Sequence, residues 1–344
     1  MSFSIQIKSL IAKILENSGS TKYIIDKCSS NKFLVLMYHR IIPHKEAKPG
    51  LQAGMYVEPE TFEIHIEYLK KYFHIIPLSE TMNNSGKSFS LKSKPNCILT
   101  FDDGWFDFYK YAYPILKANE VPATVFLPTK FIDTKDQFWT DALIQLYYGK
   151  KKGKRDSRMK STSTDPIIDF LESSSGTLET RLERAIGMMK PLPLAEINRI
   201  LADLSERWGI DPTPQGRDFL AWDEVREMYR SGLVSFGSHT ATHRILTTLR
   251  DDEIDWELQE SKDRLMAEGV VGPSFLPFAY PNGGYNDRIK DLLKKHGYSL
   301  AVTTKKGWAR HSDKAKMFEL ARIGIHQDMT STDAMFGCRI AKIL

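Results

Sequence analysis

Short apolar runs that each stop at a polar residue set the limits on what this chain can fold into. Phe33-Leu-Val-Leu-Met-Tyr38 is apolar throughout and is followed by His39. Asn96 to Phe101 runs into Asp102-Asp103-Gly104, and Leu233 to Phe236 into Gly237-Ser238-His239. Pro122 to Leu127, Phe275 to Ala279, Ser299 to Thr303 and Phe318 to Ile325 have the same character, the last ending at His326. A strand with no polar face is covered on both sides, as strands are in parallel sheets wrapped by helices. The intervening segments have helical spacing. Glu60 to Phe73 puts Phe62, Ile66, Leu69 and Phe73 on one face, and Phe106–Asn119, Trp222–Arg230, Asp251–Glu268 and Asn286–His296 continue the alternation. Strand and helix in strict turn specify a parallel α/β sheet or barrel.

The rhythm breaks between about 133 and 216, where helical patterns follow a basic run and a Ser/Thr-rich stretch. We read this as a helical insertion in one domain spanning 31–335, with residues 1–30 as an N-terminal helical extension. The 344 residues, 42% hydrophobic, suffice for one barrel of this size. Of the net charge of +5, the run Lys150, Lys151, Lys152, Lys154, Arg155, Arg158 and Lys160, interrupted by Asp156, carries +6 alone. The remainder is about neutral, so no nucleic-acid partner is expected. The run reads as a solvated loop or as a contact for anionic lipid or a phosphate-bearing substrate.

Cys28, Cys97 and Cys338 are scattered and odd in number, which favours a reducing compartment over a disulfide framework. There is neither a signal-peptide pattern nor an apolar stretch long enough to span a bilayer. The expected location is cytoplasmic, with peripheral contact at the inner membrane face as an option. Ile5, Ile7, Leu10, Ile11, Ile14 and Leu15 have helical spacing, which suits a helix packed on its own protein or one lying on a membrane surface.

Polar residues at the carboxyl ends of parallel strands are where such folds build their sites. Asp102 and Asp103 can face one cavity if the chain turns at Gly104. His239 and His243 have the spacing at which two imidazoles on one helical turn meet one metal. With Asp103 they would make three ligands and leave an open position, the catalytic pattern. Such a metal acidifies water and polarises a carbonyl, and a second carboxylate beside it can take the proton. That is a recipe for hydrolysis of an amide or ester.

Thr100-Phe-Asp-Asp-Gly104 and Ser238-His-Thr-Ala-Thr-His243, in this order and after apolar runs, resemble the first two signature motifs of the polysaccharide deacetylases. These are the NodB-homology hydrolases of carbohydrate esterase family 4. The resemblance covers about 33–130 and 220–330 and implies a distorted (β/α)7-type barrel. It implies Asp102 as catalytic base and Asp103, His239 and His243 as ligands of one divalent metal, zinc first, with cobalt, nickel or manganese as alternatives. The third motif has lost its Arg and Tyr here, where Ala279-Tyr280-Pro281-Asn282-Gly283 stands. Arg322 is the candidate replacement for that Arg, and the Asn282 N–H the oxyanion donor, with Tyr280 and Pro281 beside it. His326 is the candidate general acid, with His311 second. His39 is either a substrate contact or structural, and Trp105, Trp139 and Trp308 are either sugar-stacking faces or core.

The expected reaction is metal-dependent removal of N-acetyl groups from amino sugars of a poly- or oligosaccharide or a lipid-linked saccharide. Two alternatives stand beside it: a deformylase or deacetylase of a lipid-linked sugar or another amide, and a non-catalytic carbohydrate-binding relic.

Overall fold

The computed structural model describes residues 3–29, 32–48, 50–82, 94–152, 165–172, 177–310 and 314–343. Each apolar run forms a strand: β1 (Lys32–Tyr38), β2 (Asn96–Phe101), β3 (Ala123–Leu127), β4 (Val234–Ser238), β5 (Pro277–Ala279), β6 (Leu300–Lys306) and β7 (Leu320–Gly324). β2 and β3 are buried along their whole length. All seven run parallel, each pairing with the next. β7 then pairs with β1 at Leu36↔Ile323 and Met37↔Gly324, and this closes the barrel. The expected (β/α)7 architecture is therefore the one observed. Val35, Ile98, Phe126, Leu300 and Val302 belong to the apolar cluster that fills it.

Because the strands are parallel, their carboxyl ends share one rim. β1 ends with Tyr38 opposite Phe101 of β2, so His39 and Asp102 are the next residues on neighbouring strands. β3 ends with Leu127 opposite Ser238, and the His239 N–H continues the ladder to the Leu127 carbonyl at 2.9 Å. β5 ends at Ala279, just before Tyr280-Pro-Asn282, and β7 ends two residues before His326.

Two helices precede the barrel, α1 (Phe3–Asn17) and α2 (Ser20–Cys28). α3 (Pro59–Tyr72), α4 (Tyr113–Asn119), α9 (Trp222–Arg230), α10 (Asp251–Ala267), α11 (Asp287–Lys295), α12 (Gln327–Thr330) and α13 (Asp333–Ile340) belong to the same compact unit. Ala12 is buried against Ala334, Met335 and Cys338 of α13, whereas Ile7, Leu10, Ile11 and Ile14 are exposed. A second compact unit comprises 47–51 and 135–218. Its helices α5 (Trp139–Lys152), α6 (Pro166–Glu172), α7 (Leu178–Met189) and α8 (Leu194–Trp208) enclose their own core, including Leu143, Ile168, Ala185 and Ile200. Most of the basic run, from Lys154 to Lys160, lies outside the described residues. Among the described residues, no helix is long and apolar enough to cross a membrane.

Candidate metal centre and active site

β2 delivers two carboxylates to one place through a sharp turn. Asp103 (φ 76°) and Gly104 (φ 65°) are both left-handed, so side chains that would diverge in a strand both stay inside. A Cβ at Gly104 would lie 2.7 Å from the Leu127 side chain, which leaves only glycine. Asp102 and Asp103 are both buried. Asp102 accepts a fork from Arg322, Nη1 to Oδ1 and Nη2 to Oδ2, each at 2.7 Å. Arg322 is 1% exposed, and its Nη1 and Nε also bond Thr100 Oγ1 (3.1 Å) and the Thr303 carbonyl (2.9 Å). Burial by itself would raise the Asp102 pKa, but the Arg322 guanidinium outweighs it and holds the carboxyl below its usual range.

Asp103 faces two imidazoles. Its Oδ1 lies 3.4 Å from His239 Nε2 and 3.2 Å from His243 Nε2, and the three ligand atoms lie within 4.8 Å of one another. Its Oδ2 accepts the Trp105 indole N–H at 3.0 Å. The His239 Nδ1–H donates to the Ala279 carbonyl at 2.7 Å, which leaves the Nε2 lone pair toward Asp103. Burial opposes charge on Asp103, yet its contacts with His239 and His243 hold it well below the usual carboxylate range. His239 is pushed down by burial and up, on balance, by Asp103, whereas burial prevails at His243 and lowers it. Two imidazole nitrogens and a carboxylate oxygen converging in a buried place fit a zinc-like divalent cation.

The histidine pair is not on a helical turn, contrary to the expectation from its spacing. Residues 239–243 form an irregular turn with Thr240 (φ 64°) and His243 (φ 60°) left-handed. Glu257 of α10, a residue the sequence reading passed over, accepts the N–H groups of Ala241 and Thr242, both at 2.9 Å, and the Thr242 hydroxyl. The available signal was a polar residue on the stripe Ile254, Leu258, Leu265 that faces inward.

Arg322 thus meets Asp102, while other candidates are placed differently. His39 is half-buried on the rim, beside Asp102 in the register of β1 and β2. Tyr280 is buried and its hydroxyl donates to the Phe318 carbonyl (2.8 Å), so its side chain is not a substrate group. Pro281 is buried, and Asn282 (φ 56°) is exposed after β5. His326 is half-buried, and burial, together with Arg339, lowers its pKa. Trp105 lies against Phe219 and under the Arg40 guanidinium, and Trp308 is buried and bonded to the Ile340 carbonyl, so neither is a sugar-stacking face. Trp139 packs on the core of the helical unit. His311 lies outside the described residues.

A closed barrel of seven parallel strands with this rim defines the NodB-type hydrolases. The chain belongs to the polysaccharide deacetylase family, whose family model matches residues 91–301. It is accordingly a hydrolase acting on carbon–nitrogen bonds. It is 22% identical over 306 residues to YxkH of Bacillus subtilis (strain 168), itself provisionally named a polysaccharide deacetylase, covering 88% of this chain and 74% of that protein. Among solved structures, the deacetylase PplD of Streptococcus pyogenes, in complex with acetate, matches with TM-score 0.54 and 22% identity, over 89% of this chain and 96% of that one. IcaB from Ammonifex degensii matches with TM-score 0.56 and 17% identity, over 90% and 98%. At these identities the likeness is one of fold.

Proposed function

We propose that this protein removes N-acetyl groups from an amino-sugar-containing saccharide at the β2–β4 rim. The observation that carries this reading is the pairing of Asp103, His239 and His243 in one cluster with an Arg-held Asp102 next to it. A divalent cation held by Asp103 Oδ1 and the two Nε2 atoms would acidify a water molecule and polarise the acyl oxygen. Asp102 is kept ionised by Arg322 and takes the proton of the attacking water at its carboxylate. Arg322 keeps both carboxylate oxygens oriented. The backbone N–H at Asn282 donates to the developing oxyanion. His326 protonates the leaving amine with a proton it takes up from solvent, since burial and Arg339 lower its pKa, and Asp102 returns the water's proton to solvent afterwards. Acetate and a free amino sugar result.

Two measurements test this reading. Mass spectrometry should find about one zinc-like ion per wild-type chain and none in His239→Ala/His243→Ala. Asp102→Asn should keep the metal but lose roughly 10²–10⁴-fold in acetate release. An Asp102→Asn variant of undiminished activity would refute the base assignment.

A lipid-linked saccharide is the second substrate class, favoured by the exposed stripe Ile7, Leu10, Ile11 and Ile14 of α1. Lys8 and Lys13 flank it on either side, as in helices that lie in an anionic interface. Flotation with phosphatidylglycerol vesicles should recover the wild type and not Leu10→Ser/Ile14→Ser; no recovery of the wild type would count against membrane contact.

A further inference from the structure

The face that α10 turns inward is not wholly apolar. Beside Ile254, Leu258 and Leu265 it buries Glu257, 1% exposed, and Ser261. A carboxylate removed from water needs a full set of donors to be tolerated. The turn between the two histidines supplies them, two backbone N–H groups and the Thr242 hydroxyl. One helical turn further on, Ser261 Oγ bonds Ser238 Oγ at 2.7 Å, and Ser238 Oγ accepts the Thr240 N–H at 3.1 Å. The carbonyls of the same turn are fixed from β3's side: Thr129 N–H donates to Thr240 O (3.3 Å) and Lys130 N–H to Ala241 O (2.9 Å).

These bonds hold a turn that is strained. Thr240 and His243 occupy the left-handed region, costly for any residue but glycine and most so for a β-branched one. Such a conformation persists only where its surroundings fix it. Among the described side chains, Glu257 is the one that accepts the N–H groups lying between the strained residues, those of Ala241 and Thr242.

We propose that Glu257, supported by Ser261, is a positioning residue for the metal ligands. Its carboxylate holds the 239–243 turn in the strained form that brings His243 Nε2 to Asp103 and His239. The proposal rests on the metal reading above. Its effect is exerted on metal affinity, through the backbone and the Thr242 hydroxyl of the turn that carries the two imidazoles.

The test is cobalt(II) affinity of the full chain, by competition with a chromophoric chelator, for wild type, Glu257→Ala and Glu257→Gln, with circular dichroism as the check of folding. Glu257→Ala should bind cobalt about 10–100-fold more weakly. Glu257→Gln should stay within about threefold of wild type, because an amide oxygen still accepts both N–H groups. A folded Glu257→Ala with wild-type affinity, or a Gln variant as weak as the Ala variant, would overturn the proposal. If Glu257→Ala does not fold, Thr242→Val, which removes one of the three bonds, should still weaken binding several-fold, and an unchanged affinity there overturns it equally. A wild type that takes up no cobalt or zinc overturns instead the metal reading beneath it.

Discussion

Removing Arg322 probes the buried pair most directly. Arg322→Met keeps most of the side-chain volume but leaves Asp102, 3% exposed, without its counter-ion. Both 2.7 Å bonds of the fork disappear, and breaking a buried pair on one side costs about 3–5 kcal/mol because a charge is left uncompensated. Arg322 also bonds Thr100 Oγ1 and the Thr303 carbonyl, so the loss is felt on β2, β6 and β7 together. The chain has two compact units, and a global melt would mix them. Native-state hydrogen exchange at the Ile98 and Leu99 amides of β2 reads the barrel alone. A loss of about 3 kcal/mol means exchange more than roughly a hundredfold faster. The double variant Asp102→Asn/Arg322→Met has no buried charge left at this place and should regain about 2 kcal/mol or more over Arg322→Met. If Arg322→Met slows nothing and speeds exchange less than fivefold, or if the double variant is no more protected than the single, the charge argument fails.

Three further outcomes follow from contacts away from that pair. His65 is buried, donates to the Thr330 carbonyl at 2.7 Å and stacks on Phe336, and burial pushes its pKa down from 6.5 to about 4. The fold refuses a proton that the unfolded chain accepts, so this contribution is complete above pH 6.5 and falls by about 3 kcal/mol toward pH 4; the stability read from native-state exchange at Ile98 and Leu99 should show this slope, and lose it in His65→Gln. Trp105→Phe keeps the stack on Phe219 but deletes the donor to Asp103 Oδ2, and should weaken cobalt binding about tenfold by chelator competition. Gly283→Ala combines a left-handed φ of 74° with a Cβ that would run into Thr304 Oγ1, so native-state hydrogen exchange of the β6 amides should report a loss well over the roughly 1 kcal/mol of the backbone effect alone.

Much of the fold could be read from local pattern, because every barrel strand is an apolar run bounded by helical segments. Ring closure could not: nothing local in Leu36 or Ile323 says that they pair. In the rim, Asp102, Asp103, His239 and His243 stood out since polar residues at strand ends are unusual. Arg322 was accessible only through the resemblance, whose third motif implies an Arg that the Ala279-Tyr-Pro stretch lacks, and the structure puts Arg322 on Asp102. Glu257 was hidden because a glutamate inside an amphipathic helix looks like any solvated charge until its partners, sixteen and fifteen residues back in the chain, are known. Trp105 was open to two readings, sugar-stacking face or core, and Tyr280 stood beside the expected oxyanion donor; their hydrogen bonds to Asp103 and to the Phe318 carbonyl turn both side chains inward.

Asp102 and Arg322 are separated by 220 positions, one just past the end of the second barrel strand and one on the strand that completes the ring. During synthesis the carboxylate therefore emerges long before its cation. Until β7 is made and inserted, Asp102 has to remain wet, and the half-ring β1–β4 cannot seal its rim without stranding a charge. Loop-closure entropy of that size makes the last pairing slow. The Asp102–Arg322 pair is thus the last contact of the rim to form, and a ribosome-bound fragment ending before Leu320 should be open to proteases at β2 however well its other strands have paired.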